Sequence, residues 1–217
     1  MLINITNPIT DWIFPRRCFV CKLDILHGSI CDSCLSMCNP CPNVAAAGAQ
    51  AKHALFFYEL AMKQMLREGK YNRKPHMVYL LFELIEKELS KSGLLNELRD
   101  FAPEVVTFIP THIVNRIVRG ADLPWLFASV VAKRLSVAVK PMLLRKRYFS
   151  RQVLHQRKGD RRKLIFGSYV LKSSMIQYER VLLVDDVVTT GATLDAATSV
   201  LRECCKNILT VAIARTP

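Results

Sequence analysis

No apolar run in the 217-residue chain approaches the length of a membrane-spanning helix, so no segment reads as one that buries itself across a bilayer. The N-terminal stretch is weakly apolar, but Asp11 and Pro15 interrupt it and Arg16 and Arg17 follow it. A secretory leader has the opposite order, with its basic residues first, and an intracellular, reducing setting is therefore expected. There is no G-x-x-x-x-G-K-[ST] stretch, which excludes a P-loop ATPase, and no internal repeat. Acidic residues are few: 18 Asp+Glu stand against 31 Lys+Arg, a formal net charge of +13. Such an excess favours polyanions, whether nucleic acid, phosphorylated ligands or an anionic membrane surface. What is present supports a core, since 51% of the residues are hydrophobic. The length suits one α/β domain with a small appendage.

Six of the eight cysteines fall between residues 18 and 41, as Cys18/Cys21, Cys31/Cys34 and Cys38/Cys41. Each C-x2-C pair presents two thiolates to one metal, and two pairs complete a closed tetrahedral site. In a reducing compartment this spacing points to metal ahead of a redox-active pair or a disulfide scaffold. Zinc is the expected occupant, held by Cys18, Cys21, Cys31 and Cys34. Cys38 and Cys41 are the alternative pair, and His27 lies inside the finger as a further candidate. The role is structural, because a small segment with little apolar content needs a metal to fold. Cys204 and Cys205 read as ordinary core and boundary residues.

The richest stretch runs from Val181 to Thr193. Val181 to Val184 reads as a buried parallel strand. Asp185 and Asp186 follow at its carboxyl end, where open α/β sheets bind ligands. Thr189, Thr190, Gly191, Ala192 and Thr193 form a turn, and Leu194 to Cys205 reads as a helix. A phosphate at that helix N-terminus meets unpaired N–H donors and a favourable dipole, while paired carboxylates accept from ribose hydroxyls. The pattern resembles the phosphoribosyl-pyrophosphate (PRPP) signature of type I phosphoribosyltransferases. The plain alternative is a strand, a turn and a capped helix with no ligand.

Residues 1–17 read as a short lead-in anchored by Trp12, Ile13 and Phe14, residues 18–41 as metal knuckles, and 43–51 as an Ala-rich linker. Ala54 to Tyr58 reads as a strand. Helices follow at Leu60 to Glu68 and Lys74 to Ser90, punctuated by Gly69 and Pro75, the second with Val78, Leu81, Ile85 and Leu89 at helical spacing. Val105 to Ile109 reads as a strand and Ala121 to Leu135 as a helix with Pro124 in its first turn. Val137 to Leu144 reads as a strand with an edge or bend at Pro141. Arg180 to Asp185 and Ile208 to Ala214 are the remaining strands, the last closing the sheet. Strands alternating with helices predict an α/β fold with a mostly parallel sheet flanked by helices; the resemblance of the PRPP signature implies that it is type I phosphoribosyltransferase-like, with the cysteine pairs as a small N-terminal zinc-finger module. The divisions are 1–45 and 52–217.

A cysteine finger ahead of a terminal PRPP signature resembles the ComF (ComFC-type) proteins of bacterial natural competence. Phe108, Ile109 and Pro110 followed by Arg116, Arg119 and Gly120 look like one further segment of that family. Arg145, Lys146 and Arg147 with Gln152 look like another, and Arg215 resembles its closing Ala-Arg. The chain departs from the family at Ala121, Asp122 and Leu123, at Arg161, Arg162 and Lys163, and in lacking a fourth C-x2-C pair. The resemblance implies import of transforming single-stranded DNA, with PRPP, a helicase, strand-handling proteins and a membrane DNA channel as partners. It also implies a cytoplasmic location reaching the inner face of the cytoplasmic membrane.

If PRPP binds, its 5′-phosphate would lie in the Thr189–Thr193 turn and its ribose hydroxyls on Asp185 and Asp186, with Mg²⁺ carried by the pyrophosphate. By analogy Thr111, His112, Arg116 and Arg119 would face the pyrophosphate; a surface histidine and a solvated basic face are the bland readings. No general base for an acceptor is identifiable. Arg145 to Lys163 holds nine Lys/Arg and one acid. Its Arg145, Lys146, Arg147, Arg151, Arg157, Lys158, Arg161, Arg162 and Lys163 would neutralise phosphates, with Tyr148 and Phe149 stacking on unpaired bases. Three functions fit: a DNA-uptake protein handling single strands, an active phosphoribosyltransferase of nucleotide salvage, and a PRPP-sensing DNA-binding regulator.

Overall fold

The computed structural model describes residues 16–25, 30–42, 52–71, 75–111, 122–145, 168–173 and 176–217. Expectations for residues 1–15 of the lead-in, His27 and the Ala-rich linker lie outside them, as do those for His112, Arg116, Arg119 and residues 146–163. In chain order, β1 (Arg16–Arg17) and β2 (Asp24–Ile25) pair antiparallel, and α1 (Asp32–Ser36) follows. Then come β3 (Lys52–Phe57), three helices α2 (Leu60–Tyr71), α3 (Pro75–Lys91) and α4 (Leu94–Phe101), and β4 (Val105–Phe108). The next elements are α5 (Leu123–Leu135), β5 (Ala138–Val139), β6 (Leu143–Arg145) and β7 (Tyr169–Leu171). Finally β8 (Tyr178–Val188), α6 (Ala192–Leu201) and β9 (Cys205–Arg215) complete the chain.

Five strands form one parallel sheet in the order β3-β9-β8-β4-β5. β8 occupies the centre because Val181 to Val184 is apolar on both faces, as a strand covered on both sides requires. Its pleat sends Leu182 and Val184 to a cluster with Met62, Met65, Leu81 and Phe127, from α2, α3 and α5. Val181 and Leu183 go the other way, to Leu194, Ala196 and Leu201 of α6. Each such fully buried Leu or Val contributes about 1.5–3 kcal/mol. The result is three layers with β8 as the common seam.

Several boundaries differ from the sequence reading. The expected strand over Val137 to Leu144 divides: β5 pairs with β4, and beyond Pro141 the chain leaves the sheet to form the antiparallel β6–β7 pair. The Met142 N–H donates to Thr107 Oγ1 (3.2 Å) at the bend. Helix α2 runs through Gly69 to Tyr71, and the buried stripe of α3 begins at Met77, with Val78 only half-buried. Helix α6 stops at Leu201, and Cys205 already belongs to β9. That strand lies inside the sheet, and β3 forms the edge in its place.

The cysteine segment is stitched to that edge. The Cys41 N–H donates to the Leu55 carbonyl (2.8 Å) and the Phe57 N–H to the Asn39 carbonyl (3.0 Å). Pro40 and Phe56 form an antiparallel bridge between them. Gln64 Nε2 on α2 donates to the Phe19 carbonyl (3.2 Å). Cys18, Phe19 and Cys34 share the cluster of α2 and α3.

Candidate functional site

β4 and β8 are neighbours, but the helices that follow them leave in opposite directions, α5 toward β5 and α6 toward β9. A crevice at such a reversal, at the carboxyl ends of the strands, is where open α/β sheets bind ligands. A cavity of about 190 Å³ lies there. Ile109, Pro110 and Thr111 line it from the end of β4, Asp185, Asp186 and Val187 from β8, and Thr193 from α6. Lys70 enters from α2, and Arg145 and Tyr169 from facing ends of the β6–β7 pair.

Asp185 and Asp186 do not end the strand, as the sequence reading had them; β8 continues through Val188, which pairs with Arg215. Alternation along β8 turns the two carboxylates to opposite faces. Asp186 faces the α2 layer, where the Lys70 ammonium lies 2.6 Å from Oδ2. Asp185 is buried and accepts the Asp186 N–H at Oδ1 (2.8 Å). Burial first, and the Asp186 charge second, hold its pKa well above the usual carboxylate range, against the opposing pull of Lys70 and Arg145. Burial likewise pushes the Tyr169 phenol up, with Arg145 opposing.

The turn after β8 is held at its base by Thr216, whose N–H donates to the Val188 carbonyl (2.9 Å) and whose hydroxyl donates to the Thr189 carbonyl (3.3 Å). Gly191 caps α6 at φ +77°, the left-handed region that glycine enters without steric cost. It supplies no side-chain cap, so the first N–H groups of α6 lack an intrahelical partner. The Ala192 N–H reaches Thr190 Oγ1 at 3.4 Å, a long contact. Thr189 and Thr190 are exposed. The crevice therefore offers carboxylate oxygens on β8 and N–H donors at the start of α6. Thr111 also reaches the cavity, its hydroxyl donating to Asp122 Oδ1 (3.1 Å).

The four thiols Cys18, Cys21, Cys31 and Cys34 converge, all Sγ atoms lying within 4.8 Å of one another. Cys21 and Cys31 Sγ are 3.7 Å apart, close to the edge of about 3.8 Å that a tetrahedron with Zn–S bonds of about 2.3 Å has. The donor set fits zinc. Burial pushes the Cys18 thiol up, but N–H groups of Cys21, Cys31 and Val20 outweigh it and bring it down to about 6. Burial and the three neighbouring thiols push Cys34 up to about 12. Cys38 and Cys41 stand outside the group: Cys38 Sγ contacts Met65 Sδ (4.0 Å) and Cys41 Sγ the Pro42 carbonyl (3.7 Å).

Sequence reasoning passed over Lys70 and Tyr169. Lys70 sits in the last turn of an amphipathic helix, where a lysine ordinarily snorkels to water. Arg145, grouped by sequence with the basic segment that follows, lines the cavity.

Residues 125–215 match the phosphoribosyl transferase domain family. With the parallel sheet, that match makes the chain phosphoribosyltransferase-like. Among solved structures it is similar to the purine phosphoribosyltransferase of Pyrococcus horikoshii Ot3, at 18% identity over 64% of this chain and 75% of that one, TM-score 0.40. It is also similar to an adenine phosphoribosyltransferase (16%, covering 66% and 72%, TM-score 0.42). A third is the orotate phosphoribosyltransferase of Aeropyrum pernix (18%, covering 70% and 64%, TM-score 0.38). No curated protein matches it in sequence.

Proposed function

We propose that the cavity binds a 5-phosphorylated ribose, with PRPP as the ligand. The observation that carries this is the convergence of Asp185, Asp186 and Thr193 on one crevice beside the uncapped start of α6. The turn Thr189–Thr193 takes the 5′-phosphate, and Asp185 and Asp186 accept from the ribose hydroxyls. Mg²⁺ enters with the diphosphate, because this cation keeps several waters and uses substrate oxygens. Binding does not by itself entail transfer, which depends on an acceptor.

The finer reading is a DNA-uptake protein that handles incoming single strands, with nucleotide salvage as its competitor. The net charge of +13 and the four-cysteine module favour the first, since an enzyme acting on small substrates needs neither. Calorimetric titration of PRPP with Mg²⁺ into zinc-loaded protein tests the site. Saturable binding is expected, and the Asp185→Asn/Asp186→Asn variant should lose it while still melting cooperatively. Equal affinity in that folded variant removes the ribose assignment. Single-strand binding that falls steeply with salt supports the uptake reading, whereas diphosphate release with a free base supports salvage.

A further inference from the structure

The acid pair already has a cation of its own. Two adjacent carboxylates at the mouth of a phosphate-binding crevice ordinarily invite a divalent metal, since Mg²⁺ binds through one or two carboxylates plus phosphate oxygens. Here the Lys70 ammonium sits 2.6 Å from Asp186 Oδ2, and the two side chains are only 18% and 15% exposed. Lys70 comes from α2, a helix that belongs to neither the strand nor the turn of the PRPP-like signature. Its position is enforced by packing: Ala61, Met62, Met65 and Leu66 of the same helix are fully buried. Arg145 and Asp185 line the same cavity, and the charge of Lys70 first and of Arg145 second acts on Asp185 as well.

We propose that Lys70 is the built-in cation of this pair, occupying the place a divalent metal would take on Asp186 and thereby reserving the pair for hydroxyl groups. Lys70 is then a specificity-determining residue: it excludes free metal from the empty site, and metal arrives only on the phosphates of the ligand. An ammonium offers three donors, so Lys70 keeps Asp186 and still has donors for an incoming oxygen. The role as hydroxyl acceptor rests on the phosphorylated-ribose reading; the exclusion of metal does not.

The test uses Mn²⁺ alone as the probe, followed by its paramagnetic signal in zinc-loaded, full-length protein. The wild type should show no Mn²⁺ site up to about 1 mM, the weak end of carboxylate sites. Lys70→Gln should gain one, at least tenfold tighter, that disappears in Lys70→Gln/Asp186→Asn. Lys70→Arg, which keeps the charge, should gain none. A wild-type Mn²⁺ site that Asp186→Asn abolishes would overturn the proposal, a result that needs no Lys70 variant to fold. A cooperatively melting Lys70→Gln with no new Mn²⁺ site would overturn it as well. PRPP titration is read separately, so loss of the ribose assignment leaves the Mn²⁺ result intact.

Discussion

Asp185 carries the cost of the site. A buried carboxyl whose pKa is raised favours the folded state at low pH. That contribution is complete below the unfolded value near 3.8 and is lost as pH rises through the folded value. Near neutrality the group is therefore held against its own preference, and Asp185→Asn should stabilise the ligand-free protein by about 0.5–2 kcal/mol while abolishing PRPP binding. Urea unfolding at pH 5 and pH 8 checks this, the gain being larger at pH 8; an equal or smaller gain there contradicts the assignment. Asp185 and its neighbours were legible in the sequence because strand, acids and turn are contiguous. Lys70 was not, because its pairing with Asp186 depends on how α2 packs across β8, and nothing local to residue 70 distinguishes it from a solvated lysine.

At the scale of elements, the junction between β8 and α6 does the positioning. Gly191 holds a conformation that a Cβ disfavours, and Gly191→Ala should cost about 1 kcal/mol or more. Its larger effect should fall on phosphate affinity, because the strain is relieved by turning first-turn N–H groups of α6 away from the crevice. Titration with ribose 5-phosphate, set beside a thermal melt, separates the two; unchanged affinity with a lowered melting temperature argues against that role. The β8 core was legible as a short apolar run bounded by polar residues, and the α3 stripe from its helical spacing at Leu81, Ile85 and Leu89. Helix α4 was missed although Leu94, Leu95 and Leu98 are buried at helical spacing, because eight residues give a period little room to declare itself. The strand expected over Val137 to Leu144 was divided at Pro141, and the hydrogen bond from Met142 to Thr107 at that bend is a tertiary contact with no trace in the local sequence.

Across the whole molecule, the cysteine module and the sheet form a continuous structure, since Cys18, Phe19, Ile30, Cys34 and Cys38 belong to the cluster under α2 and α3. The convergence of the four thiols fits a metal, and a segment that buries little apolar surface by itself would depend on that metal to hold its shape. Removal of zinc by a chelator, or Cys31→Ser, should therefore lower the melting temperature of the entire chain by several degrees and not merely release a local unit. A melt monitored both by far-ultraviolet circular dichroism and by released zinc should show a single coincident transition; two separate transitions would mean that the module is independent.

The bridge from Pro40 to Phe56 has a second consequence, for solubility. β3 is an outermost strand, and its free N–H and C=O groups are a template on which another chain can pair. The segment Asn39–Cys41 lies along that strand and takes up part of its hydrogen bonding. At the other margin β5 is only two residues long, too short to recruit a partner. The Asn39–Cys41 segment thus acts as a guard against edge-to-edge association: β3 stays covered while the chain is folded, and self-association should begin with the single melting transition and not before it.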